Sequence, residues 1–256
     1  MKLITTIETI DNIVLPRSYN HIIQGWLYNM ISDPAYRMFL HNQGYQSELA
    51  GRVFKFFTFS RLLGKWRLDD SKKNMIFTGP VKLQIASPLM PLMQEVAASA
   101  LLGQDIMLGN NLVKVTGLEI KHDKLPLEQK NYQIKALSPV VVYKTIQEAN
   151  KKVTRYYHPR EPEFNRLVKE NLLRKSQVLL ENGFQGYGPL NGDFIIRPLF
   201  DPSKRNSTAF YYKEFFIKGY MGSYTVECEQ MWLKVALDTG LGAKNAQGLG
   251  FIELDI

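Results

Sequence analysis

Segments of strand composition and segments of helical apolar spacing follow one order along residues 1–120: strand, helix, strand, strand, helix, strand. Residues 2–10 carry the β-branched run Ile4-Thr5-Thr6-Ile7. Ser18 then stands as N-cap of a helix on which Ile22, Ile23, Trp26, Leu27 and Met30 recur at helical spacing. Asp33-Pro34 starts a second helix that ends at Asn42-Gln43-Gly44, since proline suits a first turn and glycine a helix end. Residues 54–59 and 75–78 read as strands, 91–102 as a helix and 111–120 as a closing strand. The order returns loosely as strand 132–143, helix 161–181, strands 193–199 and 209–218, helix 224–238 and strand 250–254. Such an order lays two helices on one face of an antiparallel sheet. The expected fold class is therefore α+β, with two tandem ferredoxin-like (RRM-like) domains at residues 1–124 and 128–256, linked around Leu125-Pro126-Leu127.

A chain of 256 residues, 45% of them hydrophobic, can fill two cores of this kind. It has no run of about 18 apolar residues, and Met1-Lys2-Leu3-Ile4 leads into a strand rather than a signal peptide, so the expectation is a cytoplasmic protein with no membrane partner. One cysteine, Cys228, makes no internal disulfide. With only His21, His41, His122 and His158 beside it, no Cys/His metal cluster and no cofactor are expected.

The net charge of +8 points to a polyanionic partner. Residues 121–180 concentrate the excess, with 13 Lys and Arg against 6 Asp and Glu. A charge run usually forms a solvated face, but here aromatics interleave with it in Lys151-Lys152-Val153-Thr154-Arg155-Tyr156-Tyr157-His158. Cations neutralise phosphates and rings stack on bases, which makes Lys151, Lys152, Arg155 and Tyr157 candidates for RNA contact. A second candidate surface is Gly240-Leu241-Gly242-Ala243-Lys244-Asn245-Ala246-Gln247-Gly248-Leu249-Gly250. Asp238-Thr239-Gly240 alone is an ordinary helix C-cap. Two Gly-Leu-Gly triplets around one lysine go beyond a cap, and Gly240, Gly242, Lys244, Gly248 and Gly250 are expected to bring backbone amides and an ammonium to a phosphate.

In the first half Tyr28, His41 and Lys55 supply a phenol, an imidazole and an ammonium from three successive elements. Attack by an RNA 2′-hydroxyl on its own phosphate needs proton transfer at both oxygens and stabilisation of the crowded phosphate, which these groups can provide without metal. Imidazole suits proton transfer, lysine suits charge stabilisation, and a phenol is a base only if its pKa falls. His21, seven residues before Tyr28 and on the same helix face, competes as the base. Each of these residues also has an ordinary structural use, as a core tyrosine or a helix-end histidine.

The runs Tyr19-Asn20-His21, Gln24-Gly25-Trp26-Leu27-Tyr28-Asn29, Leu40-His41, Phe54-Lys55-Phe56-Phe57-Thr58-Phe59-Ser60 and Leu137-Ser138-Pro139-Val140 resemble the CRISPR-associated endoribonucleases that cut repeat RNA into guide RNAs. The segment from Gly240 to Gly250 is similar to the glycine-rich loop of the repeat-associated RNA-binding superfamily to which they belong. The resemblance implies tandem ferredoxin-like domains and metal-independent cleavage of a CRISPR repeat, leaving a 5′-hydroxyl and a 2′,3′-cyclic phosphate. It places the catalytic groups on Tyr28, His41 and Lys55 and RNA on the loop around Lys244. The implied partners are precursor and processed guide RNA and effector-complex proteins, with the chain a monomer or homodimer. A noncatalytic repeat-RNA-binding subunit would use the same surfaces. A nucleotide-binding enzyme rests on the glycines alone, since Asp69-Asp70 beside Lys72-Lys73 reads as a solvated turn rather than a magnesium site.

Overall fold

The computed structural model describes residues 1–47, 51–103, 105–123, 125, 130–148, 151–201, 206–212 and 215–255. Of the expected linker, Pro126 and Leu127 lie outside the described residues. In the first half the order is β1 (Lys2–Glu8), β2 (Ile13–Pro16), α1 (Asn20–Asn29), α2 (Pro34–Met38), β3 (Thr58–Phe59), β4 (Leu63–Leu68), β5 (Asn74–Ala86), α3 (Met90–Leu101), β6 (Asp105–Leu108) and β7 (Asn111–Lys121). The second half holds β8 (Asn131–Val140), β9 (Tyr143–Glu148), β10 (Lys151–Tyr156), α4 (Pro162–Glu181), β11 (Phe194–Pro198), β12 (Ser207–Tyr212), β13 (Phe215–Cys228), α5 (Gln230–Thr239) and β14 (Ile252–Leu254).

Both large sheets are antiparallel and share one spatial order. In the first, β5 lies between β4 and β1, and β7 flanks β1; in the second the order is β11-β13-β8-β14. Each places the second, third, first and fourth strands side by side, which is the ferredoxin-like arrangement expected from the element order. The halves share one core, in which Leu3, Ile23, Trp26 and Phe57 pack in continuity with Ile134, Leu172, Trp232 and Ile252. No helix among the described residues is long and apolar enough to cross a membrane.

Several local expectations are corrected. Ser18 is not the N-cap: Pro16 still pairs with Asn74 of β5, so the chain turns before α1 starts at Asn20 behind Tyr19, which makes no side-chain cap. Residues 54–59 are not one strand, because Phe56 takes φ 45° and only Thr58 and Phe59 pair with β5. Residues 209–218 are two strands of a hairpin, with Tyr212 opposite Phe215. Residues 224–228 belong to β13 rather than a helix: Tyr224, Val226 and Cys228 alternate into the core, and α5 begins at Gln230. The basic segment at 143–156 folds as the β9–β10 hairpin. Asp33, by contrast, caps α2 as expected, its carboxylate accepting from the amides of Ala35 and Tyr36.

The halves are tied where the site lies. Buried Asn20, at the start of α1, donates to the carbonyls of Gln247 (2.8 Å) and Gly248 (3.0 Å), and Thr58 of β3 donates to Leu249 (3.0 Å).

Candidate active site and nucleic-acid interface

Three elements bring Tyr28, His41 and Lys55 together. Tyr28 ends α1. His41 lies in a π-helical turn, Phe39–Gln43, that extends α2 and is closed by the Gly44 amide donating to the Phe39 carbonyl at 2.8 Å. Such turns accommodate one extra residue in a helix and often sit at functional sites. Gly44 itself needs φ 71°, and a Cβ there would lie 2.8 Å from the Phe54 carbonyl oxygen, so glycine is required where the chain leaves the turn. The rings of Tyr28 and His41 meet edge to face with centroids 5.1 Å apart. Lys55 Nζ stands 5.8 Å from the Tyr28 ring centre and donates to the His41 carbonyl.

The three groups differ in what they can do. Burial raises the Tyr28 phenol well above its ordinary value, with the neighbouring Tyr212 adding to the effect, so it remains a proton donor. Its hydroxyl is buried without a hydrogen-bond partner. Burial lowers the Lys55 pKa. His41 is exposed, and its Nδ1 lies 2.7 Å from Asn42 Oδ1, which can only accept; this assigns the proton to Nδ1 and leaves Nε2 free. His21 is arranged likewise, with Nδ1 3.0 Å from the Ser18 carbonyl. A cleft of about 680 Å³ is lined by His21, Tyr28 and His41 together with Arg37 and Tyr212. Arg37 and Tyr212 were not among the expected site residues, and no sequence signal distinguished them.

The glycine-rich loop is built differently from the expectation. Gly240, Gly242, Gly248 and Gly250 are buried and face protein. A Cβ on Gly250 (φ 71°) would lie 1.9 Å from the Leu241 carbonyl oxygen, and one on Gly248 (φ 75°) would lie 2.2 Å from the Phe59 ring. The amides of Leu241, Ala243, Gly248 and Gly250 donate to the carbonyls of Gly250, Val141, Asn245 and Pro139. Fully buried Lys175 of α4 donates to the Gly240 carbonyl and to Asn245 Oδ1, each at 2.7 Å. Asn245 Nδ2 in turn bonds the Leu241 and Leu249 carbonyls. Burial lowers the Lys175 ammonium to a pKa of about 7. What the loop offers outward is Lys244, at φ 62°, half-exposed, with Nζ 5.4 Å from the Tyr143 ring centre.

On the β9–β10 hairpin Lys151, Lys152 and Arg155 are exposed. Tyr157 is not: at 7% exposure it belongs to the core, and the Arg155 guanidinium, paired with Glu161 at 3.1 Å, lies 5.1 Å from its ring centre. The accessible aromatics form a row instead. Tyr143 lies 5.8 Å from Tyr156, Tyr156 lies 6.1 Å from Phe216, and Phe216 lies 5.8 Å from Tyr211, so rings extend from beneath Lys244 to the β12–β13 hairpin. Among the described residues no three His, Cys, Asp or Glu gather as a metal-ligand set. Asp69 turns its carboxylate onto its own turn, accepting from Ser71, Lys73 and Asn74.

Two ferredoxin-like sheets sharing a core, with a glycine loop locked between the last helix and the last strand, define a class of tandem ferredoxin-like proteins. A family model described as CRISPR associated protein Cas6, C-terminal, matches residues 121–254. The chain belongs to the Cas6 family. It is 25% identical over 256 residues to CRISPR-associated endoribonuclease Cas6 1 of Methanocaldococcus jannaschii, across 98% of this chain and 92% of that one. Among solved structures it resembles a Cas6-related gene product from Pyrococcus furiosus (TM-score 0.78, 20% identity, 99% and 98% of the two chains). It also resembles an RAMP protein described as binding different RNA substrates (TM-score 0.77, 24% identity, 100% of both chains). These structural likenesses concern the fold.

Proposed function

We propose that this protein is an endoribonuclease that cleaves CRISPR repeat RNA by attack of a 2′-hydroxyl on the adjacent phosphate, without metal. The observation that carries the reading is the convergence of Tyr28, His41 and Lys55: Tyr28 and His41 line an open cleft with their functional atoms free, and Lys55 stands against both, donating to the His41 carbonyl. In the reaction the 2′-oxygen bonds to phosphorus and loses its proton, while the P–O5′ bond breaks and the 5′-oxygen gains one. His41 acts in its doubly protonated form: Asn42 holds the Nδ1–H, and the proton on Nε2 passes to the leaving oxygen. His21, with its own Nε2 free in the same cleft, takes the 2′-proton. Lys55 neutralises charge on the pentacoordinate phosphate, and the Tyr28 hydroxyl donates to it. The products carry a 5′-hydroxyl and a 2′,3′-cyclic phosphate. Lys244, Lys151 and Lys152 hold the strand, and the units at residues 1–124 and 128–256 work as one surface. The name of the archaeal relative and its coverage of the whole chain support the same activity.

Incubating the protein with its host's repeat RNA in EDTA should give a single cut. His41→Ala should slow it by about 10²–10⁴-fold, and a 2′-deoxy nucleotide at the cut should abolish it. A cut that needs magnesium, or that survives the 2′-deoxy substitution, overturns the mechanism. Tight binding of intact repeat without any product would instead identify a noncatalytic RNA-binding subunit.

A further inference from the structure

Beside the cleft lies a second cavity of about 380 Å³, between the first half and the glycine loop. Arg52, Lys55 and Lys244 place three cations on its walls and Tyr143 an aromatic ring. Asn171 and Gln247 line it too, and both are anomalous. Asn171 is only 7% exposed, yet its Oδ1 has no hydrogen-bond partner, and the buried Oε1 of Gln247 has none either. Buried polar atoms are almost always satisfied, so an orphaned one calls for an explanation. Lys175, one turn along α4 from Asn171, does not serve these oxygens, because its ammonium is directed at the Gly240 carbonyl and Asn245. Two carbonyl oxygens awaiting N–H donors, a ring and three cations match one chemical unit, a nucleotide whose base carries an amino group.

We infer that this cavity holds one nucleotide of a single RNA strand, with an adenine or cytosine amino group donating to Asn171 and Gln247 and its phosphate against Lys244 and Arg52. The inference rests on the nuclease reading and gives its substrate a preferred base. Gln24 lines both this cavity and the cleft holding His41, so the bound nucleotide lies close to the cut. Uracil has no amino group, and its single N3–H can serve at most one of the two oxygens.

The test is fluorescence anisotropy with labelled octaadenylate, octauridylate and an octamer of purine riboside, which stacks as adenine does but lacks its amino group. Octaadenylate should bind about fivefold or more tightly than the purine-riboside octamer, and Asn171→Leu combined with Gln247→Met should bring that ratio to about one. Gln247→Met alone, in a side chain that makes no hydrogen bond, should lower the ratio without a change in melting temperature. Equal affinity of the wild-type protein for octaadenylate and the purine-riboside octamer overturns the inference and leaves the nuclease reading standing. Failure to bind the host repeat or any octamer overturns both. Free AMP that saturates the protein without displacing octaadenylate overturns the assignment to an RNA strand.

Discussion

The Tyr28–His41–Lys55 cluster and the glycine-rich loop use their polar atoms in opposite ways. In the loop, backbone and side chains bond to one another: Asn245 bridges Leu241 and Leu249, Lys175 holds Gly240 and Asn245, and the glycines sit where any Cβ would strike protein. In the cluster the Tyr28 hydroxyl has no partner and His41 faces solvent. Glycines suggested contact with a ligand, yet here they mainly let the chain pack against itself. The phenol and imidazole resembled ordinary helix residues, yet the Tyr28 hydroxyl and His41 Nε2 keep hydrogen-bonding capacity that the protein does not fill. The conspicuous motif is thus satisfied within the protein, while the cluster keeps polar atoms that the protein does not pair.

Four substitutions test this contrast. His41→Ala, the largest effect, should cost activity by the factor given above while leaving thermal stability nearly unchanged, since the ring is exposed; circular-dichroism melting alongside the cleavage assay checks both. Gly250→Ala should do the reverse in kind, costing about 3 kcal/mol or more through a positive φ and a blocked Leu241 carbonyl. At about 2–4 °C per kcal/mol, its melting temperature should fall by roughly 6 °C or more. A Gly250→Ala protein that melts with the wild type and only loses RNA affinity would show the glycine to be a contact rather than a packing device.

Lys175→Met should cost about 2 kcal/mol by leaving the Gly240 carbonyl and Asn245 without their donor. Its signature is pH dependence. Folding lowers this lysine from 10.5 to about 7, so between those values the unfolded chain binds the proton that the folded chain has released. Stability conferred by this site therefore rises with pH across that window and is lost as pH falls through 7. The gap in melting temperature between wild type and Lys175→Met should widen from pH 7 to pH 10; a gap that narrows would contradict the burial of this ammonium. Tyr28→Phe, the smallest effect, should slow cleavage about tenfold and raise stability by about 1 kcal/mol, since it removes a buried hydroxyl with no partner. A destabilised Tyr28→Phe would show that the hydroxyl is satisfied in solution.

Much of the fold was readable because its signals are local. Asp33-Pro34 announced α2 through a cap and a proline, and the spacing of Ile23, Trp26 and Leu27 announced α1. Residues 54–59 misled because their aromatic composition hides the left-handed turn at Phe56, whose ring packs on Tyr45 and Phe184 from other segments as well as on Phe54. The β9–β10 hairpin was missed because its lysines read as a solvated face. Tyr28, His41 and Lys55 were singled out by residue chemistry and by family resemblance. Asn171 and Lys175 were not, because only tertiary packing buries these two polar residues of α4.

Asn20 reaches from α1 to the carbonyls of Gln247 and Gly248 and also accepts from Arg61 at 2.8 Å. The helix that carries Tyr28 is thereby bolted to the loop that presents Lys244. For the nuclease proposed above, that tie would set the number of nucleotides between Lys244 and the cut before any strand arrives, a ruler cut into the scaffold.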